Sequence, residues 1–335
     1  MNYRCRYLAH GLYFSFNCLR HCHLSIHAPE YREMYNYIAP YRGPKDKINW
    51  ERVFSEKRKL VQDMKNGNIP CFCKGCHWIE EFDENSQEQF LSDFEPYIDM
   101  IWLGHFDECN AKCIYCMSFE AISKNKMTKD YGVHIVLKEM LDKKIYNLEK
   151  NPNAHLSFSM GEPTLLKNFD SLINMFVKKG NTQFAIYTNA IKYSKMLEKL
   201  LKHDKVRIAI VVSLDSGSRE VYKKVKLVDK FNDVCKNIQK YALASKDTNP
   251  TAVGVKYIII PKVNDTIEEI DKFFDLCVFE LGVKYLMADI EENWYVRNNA
   301  EVPEYIKDLL RHIKSRCEEH NITFNYYDRA FVTEL

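Results

Sequence analysis

Several features that mark membrane, secreted or nucleic-acid-binding proteins are absent from this sequence. Its 48 lysine and arginine residues nearly balance 46 aspartate and glutamate residues, leaving a formal charge of +2, so no overall field favours nucleic acid or an anionic membrane. No stretch approaches the ~18 consecutive apolar residues that a membrane span requires. Residues 1–16 also lack the basic start, apolar run and small-residue cleavage site of a secretory signal. We therefore expect a cytoplasmic protein with neither a nucleic-acid nor a membrane partner.

Cysteine, by contrast, is abundant, with 12 residues. Cytoplasmic thiols stay reduced, so these cysteines are expected to be metal ligands or buried apolar side chains rather than disulfides. Cys235, Cys277 and Cys317 lie in helical patterns and are predicted to be buried. The other nine fall early in the chain, at Cys5, Cys18, Cys22, Cys71, Cys73, Cys76, Cys109, Cys113 and Cys116. This uneven distribution predicts metal chemistry in that part of the sequence.

Strand and helix patterns alternate from residue 97 onward. Six strand patterns, at 98–104, 154–160, 182–189, 206–215, 252–260 and 284–290, are each followed by a loop or helical stretch, and residues 321–327 can add an edge strand. Successive strand-helix units imply a parallel sheet with right-handed crossovers. Six units are too few to close an eight-stranded barrel, so we predict an α/β fold, a partial, open (β/α)6 barrel over residues 97–335. Its chemistry should lie at the carboxyl ends of the strands.

Residues 1–96 follow a different pattern. An aromatic hairpin over about 6–22 precedes a helix over 49–66 and the sequence IPCFCKGC. This segment has too few apolar residues for a core of its own, and small units of that kind are commonly held together by metal or disulfides. We therefore predict a separate cysteine-rich, metal-stapled module over residues 1–96.

The loop after the first strand pattern, DECNAKCIYCMSF at 107–119, contains three cysteines in a Cys-x3-Cys-x2-Cys arrangement. Thiolates at this spacing can bind one soft metal centre. Zinc would need a fourth ligand from elsewhere, because structural zinc sites are normally closed by four ligands. An iron–sulfur cube with one iron left open fits the three thiols better.

These residues resemble the signature of the radical S-adenosylmethionine (radical SAM) enzymes. In that family the three cysteines hold a 4Fe–4S cluster whose open iron binds the amino and carboxylate groups of SAM. The resemblance implies that Cys109, Cys113 and Cys116 are the cluster ligands. It also implies a reaction in which one electron cleaves SAM to methionine and a 5′-deoxyadenosyl radical, which then takes hydrogen from a substrate.

Further motifs in the expected order extend the resemblance. Tyr115 occupies the family's aromatic position beside the adenine of SAM. The sequence MGEPTL at 160–165 resembles the family's Gly-Gly-Glu-Pro. The resemblance implies that Gly161, Glu162 and Pro163 position the SAM amino group, with Met160 in place of the first glycine.

Two more strand ends match the family. Asn189 in YTNA resembles the asparagine of Thr-Asn-Gly, and Ser213 with Asp215 in VVSLDSG resembles the polar residues near the SAM ribose and carboxylate. As isolated residues they would be ordinary strand-end caps. Their position after the cysteine loop and MGEPTL favours cofactor binding.

The N-terminal cysteines resemble the auxiliary-cluster modules called SPASM or twitch, which hold a second 4Fe–4S cluster. Those modules usually follow the barrel, whereas here the cysteines precede it. A hairpin turn at residues 17–18 would place Cys18 at an exposed tip and Cys22 near the start of the first strand. We therefore predict four ligands, with Cys18 and Cys71 in reserve: Cys5, Cys22, Cys73 and Cys76. A structural zinc ion is the alternative, since paired cysteines suit zinc equally well.

Together these features predict a radical SAM enzyme that oxidatively modifies a peptide or small molecule. The auxiliary cluster would relay an electron, and a reductant such as flavodoxin or ferredoxin would supply the first one. Two alternatives stay open, a redox-neutral isomerase or epimerase with a zinc-stapled module, and a non-catalytic iron–sulfur sensor that binds SAM. Candidates to line a substrate pocket follow the sixth strand pattern: Asp289, Glu291, Glu292, Trp294 and Arg297.

Overall fold

The computed structural model describes residues 2–15, 18–22, 37–40, 46–74, 76, 78–82, 98–106, 108–116, 132–291 and 302–326. The chain divides into two compact units. Unit 1 comprises Met1–Phe106, Lys129–Phe158 and Ser171–Gln183, and unit 2 comprises Asp107–Thr128, Ser159–Asp170 and Phe184–Leu335. None of the helices in the described ranges combines the length and hydropathy of a membrane span.

Unit 1 is built on a sheet of mixed direction. Its strands are β1 (Asn2–Arg4), β2 (Gly11–Phe14), β3 (Cys18–Arg20), β4 (Tyr37–Pro40), β5 (Glu80–Phe82), β6 (Met100–Leu103) and β7 (His155–Phe158). The order within this unit is β7-β6-β2-β3-β4, and β1 pairs separately with β5. Strand β6 is parallel to both β7 and β2, whereas β3 is antiparallel to its neighbours. The N-terminal segment therefore extends the sheet through β2.

Unit 1 contains the helices α1 (Arg6–His10), α2 (Trp50–Lys65) and α3 (Val133–Asp142) and most of a fourth helix, α4 (Phe169–Lys178). Helix α2 begins where the Asn49 side chain accepts a hydrogen bond from the Arg52 backbone N–H at 3.0 Å, a standard N-cap. It ends before Gly67, whose φ of 84° suits glycine. Its buried positions are Val53, Lys57, Val61 and Met64. Their spacing of three or four residues makes one stripe, in which a lysine is unexpected.

The hairpin predicted over residues 6–22 is only partly correct. Residues Arg6–His10 form helix α1, and only β2 and β3 form the antiparallel pair. The prediction that Cys18 lies at an exposed tip is wrong, because Cys18 is only 5% exposed and pairs with Pro40 in the next strand. The physical reason is that β4 pairs with β3 as the next strand of the sheet. Local turn signals do not encode such a long-range pairing. The predicted boundary at residues 96–97 stays a prediction, and the two compact units divide the chain differently.

Unit 2 is a largely parallel sheet with helices. Its strands are β8 (Gln183–Thr188), β9 (Arg207–Ser213), β10 (Val253–Ile259), β11 (Tyr285–Ile290) and β12 (Thr323–Tyr326), in that spatial order. Strand β10 is parallel to β9 and β11, and β11 is parallel to β12. The edge strand predicted over 321–327 is confirmed as β12. Both the mixed α/β class and the parallel character of the sheet are confirmed.

The remaining helices are α5 (Lys195–Leu201), α6 (Arg219–Lys226), α7 (Phe231–Ser245), α8 (Ile267–Asp275) and α9 (Glu304–Glu319). Three of them begin with a hydroxyl cap that accepts a backbone N–H three residues later, at Ser194, Ser218 and Thr266. Such caps satisfy orphan donors of the first turn. Helices α5, α7, α8 and α9 confirm the helical stretches expected after the strand patterns, whereas α6 was not predicted.

Candidate functional site

The cysteine loop of unit 2 is fixed by backbone hydrogen bonds to the end of helix α6. The Lys112 N–H donates to the Lys226 carbonyl and the Ile114 N–H to the Val225 carbonyl, both at 3.0 Å. These carbonyls belong to the last turn of α6, where an α-helix offers no partner of its own. The loop therefore completes the helix end, and the helix end holds the loop.

The three thiols of this loop are neighbours. Burial, with smaller contributions from Cys113, Glu162 and Cys116, raises the pKa of Cys109 to about 11. Burial also raises the pKa of Cys113, an effect that nearby Lys226 opposes. Without a metal the thiols of Cys109 and Cys113 are protonated at neutral pH, so metal binding must release their protons.

The donor set fits an iron–sulfur cluster. All twelve cysteines are free thiols. Within the described ranges, no three His, Cys, Asp or Glu side chains are placed so that they could hold a metal ion as they stand. A cube differs from a single ion because its thiolates bind different irons and need not converge on one point. Three neighbouring soft donors on one loop suit such a cluster, which radical SAM proteins use together with SAM.

Glu162 links the predicted SAM motif to the cysteine loop. Its carboxylate is fully buried and accepts hydrogen bonds from Thr164, Thr188 and the Asn189 backbone N–H. Its own N–H donates to the Glu108 carbonyl at 2.8 Å. Burial raises the pKa of Glu162, and these hydrogen bonds lower it in part. Gly161 before it has a φ of 57°, a left-handed conformation natural for glycine.

Asn189, at the end of β8, completes this link. Its side-chain amide donates to Asn110 Oδ1 at 2.7 Å and to Cys109 Sγ at 3.5 Å. Ala190, which follows it, has a φ of 54°, although a left-handed backbone disfavours every residue with a Cβ. This explains why the family pattern has glycine there. The structure thus brings Asn189, Glu162 and the cysteine loop together, and their contact with SAM stays a prediction.

Tyr115 and Asp215 belong to a buried network that also includes Lys226. The Tyr115 hydroxyl donates to Asp215 Oδ2 at 2.6 Å, and the Lys226 ammonium donates to the Tyr115 oxygen at 2.7 Å. Lys226 and Asp215 form a short ion pair, and both are essentially inaccessible to solvent. Burial lowers the pKa of Lys226, but Asp215 and Cys113 outweigh that effect and raise it overall.

The remaining oxygen of Asp215 is also engaged. The Ile258 N–H donates to Asp215 Oδ1 at 2.8 Å, and the Asn264 amide donates to the Asp215 and Ile258 carbonyls. The ring of Tyr115 packs on the apolar cluster of Val225, Ile258 and Ile260. Asp215 therefore holds β9, β10, α6 and the cysteine loop together, a structural role that the sequence did not suggest.

Lys226 was missed by the sequence analysis. It lies in the run REVYKKVK, which reads as a solvated basic helix face. The available signal was its position four residues after the buried Tyr222 and next to Val225, which places it on the buried stripe of α6. The charge of the residue masked that signal.

The other rim residues of unit 2 lie along β9 to β11. Ser213 is half-buried and in register with Lys256, whose ammonium lies 3.9 Å from Asp289 Oδ2. Asp289 and Glu291 are buried acidic residues. The other predicted pocket candidates lie outside the described residues: Glu292, Trp294 and Arg297.

The N-terminal cysteines gather in unit 1. Cys5 and Cys73 are buried in one apolar cluster with Leu8, Met64 and Phe72. Cys73 starts a tight turn in which the Cys76 N–H donates to the Cys73 carbonyl at 3.1 Å, consistent with the predicted knuckle.

Their thiols are close enough to influence one another. Burial raises the pKa of Cys73, and the nearby thiols of Cys22, Cys5, Cys76 and Cys71 raise it further. Burial likewise raises the pKa of Cys5, and Cys76 adds to the increase. The four predicted ligands are therefore neighbours, with the reserve residue Cys71 beside them. Cys18 lies in β3.

Comparison with known proteins identifies the family of this chain and several relatives. A family model described as the Radical SAM superfamily matches residues 103–277. A GTP 3′,8-cyclase of Clostridium botulinum (strain Okra / Type B1) is 30% identical over 182 residues, which cover 54% of this chain and 53% of that protein. An uncharacterized protein of Methanocaldococcus jannaschii is 31% identical over 248 residues, 71% of this chain and 72% of its own length.

The fold also resembles solved structures. Streptococcus suis SuiB bound to the precursor peptide SuiA has a TM-score of 0.55 at 15% identity, covering 85% of this chain and 56% of that one. SuiB bound to S-adenosylmethionine gives 0.52 at 15% identity, with 84% and 56% covered. This likeness concerns the fold alone. The matches span about half the length of the cyclases and of SuiB.

Proposed function

The chain belongs to the radical SAM superfamily, and on that premise we propose that it reductively cleaves SAM and removes hydrogen from a substrate. The proposed cluster ligands are Cys109, Cys113 and Cys116. The observation that carries the proposal is the hydrogen-bonded path from Glu162 through Asn189 to Cys109. It supports the proposal because one residue joins the two predicted sites: the Asn189 backbone N–H donates to Glu162 of the motif predicted to hold SAM, and the Asn189 side chain donates to Cys109 of the loop predicted to hold the cluster.

The protein's part is to position the cofactors. When bound, the 4Fe–4S cluster supplies the electron that splits SAM into methionine and a 5′-deoxyadenosyl radical. Residues 161–163 and Asn189 would hold the amino end of SAM, and Ser213 would bind its ribose or carboxylate. The ring of Tyr115 would contact the adenine. Asp215 acts indirectly, because its carboxylate is already engaged by Tyr115 and Lys226.

A second metal centre in unit 1 makes the proposed reaction an oxidation. Cys5, Cys22, Cys73 and Cys76 would hold a second 4Fe–4S cluster, which accepts the electron left on the substrate after hydrogen removal. The mutual influence of their buried thiols supports this ligand set. With four protein ligands the cluster has no open iron, which favours electron transfer over substrate binding.

The proposed substrate is a peptide or small molecule that reaches the protein in the cytoplasm, with flavodoxin or ferredoxin as the reductant. The named relatives illustrate both substrate classes, a GTP 3′,8-cyclase and a protein solved with a precursor peptide. The Lys256–Asp289 pair and the buried Glu291 offer charged groups that a polar substrate can contact.

SAM cleavage tests the first part of this proposal. Protein reconstituted anaerobically with iron and sulfide, then reduced, should form 5′-deoxyadenosine from SAM. The Cys116→Ala variant should form none, whereas Cys235→Ala, which removes a cysteine of helix α7, should match the wild type. Equal product from the wild type and Cys116→Ala would overturn the proposal.

The second centre is tested separately. Cys73→Ala/Cys76→Ala should still cleave SAM but should no longer turn over substrate, because the substrate electron has no acceptor. Unchanged turnover of a substrate by this variant would contradict the electron-accepting role of the second centre. It would not contradict the proposal that the protein cleaves SAM.

A further inference from the structure

Helix α2 of unit 1 carries a lysine where its buried stripe calls for an apolar side chain. Lys57 is 0% exposed and shares the stripe with Val53, Val61 and Met64. Its ammonium donates to the Leu8 carbonyl at 2.8 Å and lies 3.5 Å from the His21 carbonyl. Lysine is almost never fully buried unless it is paired, so this position demands an electrostatic explanation.

Within the described residues, Lys57 has hydrogen-bond partners but no carboxylate partner. The contrast is Lys226, equally buried, which forms an ion pair with Asp215. Burial lowers the pKa of Lys57 to about 7, and nearby Cys22, Cys5 and Asp99 oppose that effect. Two neutral carbonyls do not compensate a buried positive charge.

Asp99 is only partly engaged by other groups. Its Oδ2 accepts hydrogen bonds from the Arg6 guanidinium at 3.1 Å and from the Asn151 amide at 2.7 Å, whereas its Oδ1 is buried and has no hydrogen-bond partner among the described residues. Besides Asp99, the groups that act on the Lys57 charge are the thiols of Cys22 and Cys5. As free thiols they are neutral, and they become negative when they bind a metal.

We propose that Lys57 is the buried countercation of the metal centre held by Cys5, Cys22, Cys73 and Cys76. This inference rests on the second centre of the proposed function. Four thiolates give the centre a net negative charge, and the positive charge of Lys57, which is itself inaccessible to solvent, offsets it. Both carbonyls that accept from the ammonium lie close in sequence to proposed ligands, Leu8 after Cys5 and His21 before Cys22. Lys57 thus connects the ligand-bearing segments as well as balancing their charge.

The charge of Lys57 also affects the redox behaviour of an iron–sulfur cluster. Reduction adds one negative charge, and a nearby buried positive charge stabilises the reduced form more than the oxidised form. Lys57 therefore makes the centre a better electron acceptor than the same thiolates would be alone. This direction agrees with the proposed role of taking an electron from the substrate.

The test isolates the second centre in the full chain. Cys109→Ala/Cys113→Ala/Cys116→Ala serves as the parent, so that only the unit 1 centre can bind metal. Three variants are compared in this parent. Lys57→Gln keeps N–H donors but removes the charge, Lys57→Arg keeps the charge, and Lys59→Gln removes an exposed charge from the same helix. Three quantities are measured for each variant. They are the metal retained in the presence of a chelator, the midpoint potential of the metal centre, and the stability of the metal-free protein to urea.

We expect Lys57→Gln to lose metal faster and to have a more negative midpoint potential than the parent. Lys57→Arg and Lys59→Gln should stay close to the parent in both measurements. Metal-free Lys57→Gln should be at least as stable as the metal-free parent, because an uncompensated buried charge has been removed. A lysine with a purely structural role would instead destabilise the metal-free protein when replaced.

Other outcomes overturn the inference. If Lys57→Gln retains metal as well as Lys59→Gln and has the same midpoint potential, Lys57 is not a countercation. The same conclusion follows if Lys57→Gln destabilises the metal-free protein. If Lys57→Gln does not fold, Lys57→Met, which suits the apolar stripe, is measured, and its failure to fold also counts against the inference. If the parent binds zinc, the metal-retention test still applies, but the proposed electron transfer is contradicted. If the parent binds no metal, there is no second centre and the inference fails. The proposal that the protein cleaves SAM is tested separately with the wild type.

Discussion

Glu162 has hydrogen-bond donors around both of its carboxylate oxygens. Oε1 accepts from the Thr164 N–H and hydroxyl and from the Thr188 hydroxyl, and Oε2 accepts from the Asn189 N–H. No solvent reaches this side chain. All of these groups donate hydrogen bonds, so both ends of the side chain must be acceptors. A side chain of equal size that carries a donor at one end would leave two donors facing each other.

We predict that Glu162→Gln lowers the free energy of unfolding by about 1–3 kcal/mol, because an amide N–H₂ group would then face the Asn189 N–H. It should also weaken SAM binding, since Asn189 loses its fixed position. Urea unfolding and equilibrium SAM binding measure the two effects. Glu220→Gln, at an exposed position in helix α6, is the control. Equal stability of the two variants would contradict the role given to Glu162.

Lys226 provides the second residue-scale prediction. Lys226→Met should destabilise the protein by about 3–5 kcal/mol, because it leaves the Asp215 carboxylate buried without its countercharge. Lys224→Met, an exposed lysine of the same helix, should change stability little. Adding Asp215→Asn to Lys226→Met should recover part of the loss, since the unpaired charge is then removed. Urea unfolding is measured for the wild type, the control, Lys226→Met, Asp215→Asn and their double variant, and additive losses from the two single substitutions would contradict the pairing.

The sequence predicted part of the site. The spacing of Cys109, Cys113 and Cys116 indicated a metal centre, and the resemblance to radical SAM enzymes placed Glu162 and Asn189 beside it. The buried lysines, Lys57 and Lys226, were not predicted, because both occur in charged helical runs whose burial depends on tertiary packing. Each has an electrostatic reason for its position that only appears when distant segments meet.

At the scale of elements, helix α6 determines where the cysteine loop lies. It begins at the Ser218 cap and ends at Leu227, whose φ of 52° is left-handed. The last two carbonyls of the helix accept hydrogen bonds from the cysteine loop. The position and end of this short helix therefore fix the geometry of the proposed cluster ligands.

We predict that Leu227→Gly raises stability by about 1 kcal/mol, because glycine adopts the left-handed conformation without the Cβ penalty. Leu227 is 53% exposed, so little burial is lost. Leu243, 72% exposed within helix α7, is the matched control, and Leu243→Gly should lower stability by about 1 kcal/mol. Thermal and urea unfolding measure both. A loss of stability in Leu227→Gly would show that its side chain matters more than its backbone.

Periodicity predicted the later elements well and the N-terminal ones poorly. The strand patterns at 182–189, 252–260 and 284–290 correspond to β8, β10 and β11, because continuous apolar runs between turn signals are typical of buried parallel strands. By contrast, the parallel pairing of β2 with β6 joins residues about ninety positions apart. No local signal encodes such a pairing, which is why residues 6–22 were taken for an isolated hairpin.

At the scale of the whole molecule, each compact unit contains one set of clustered cysteines. The cysteine loop, Glu162, Asn189 and Asp215 all belong to unit 2, whereas Cys5, Cys22, Cys73 and Cys76 all belong to unit 1. Each set therefore has its own structural support, and we expect the two metal centres to assemble independently of each other.

The most direct measurement of this account is the iron and sulfide content of the full chain and of two cysteine variants after anaerobic reconstitution. The wild type should hold about eight iron atoms per chain, and replacing either cysteine set by alanine should leave about four. One variant is Cys109→Ala/Cys113→Ala/Cys116→Ala, and the other is Cys5→Ala/Cys22→Ala/Cys73→Ala/Cys76→Ala. Loss of all iron on replacing the first set, or no loss on replacing the second, would contradict the presence of two independent iron–sulfur centres.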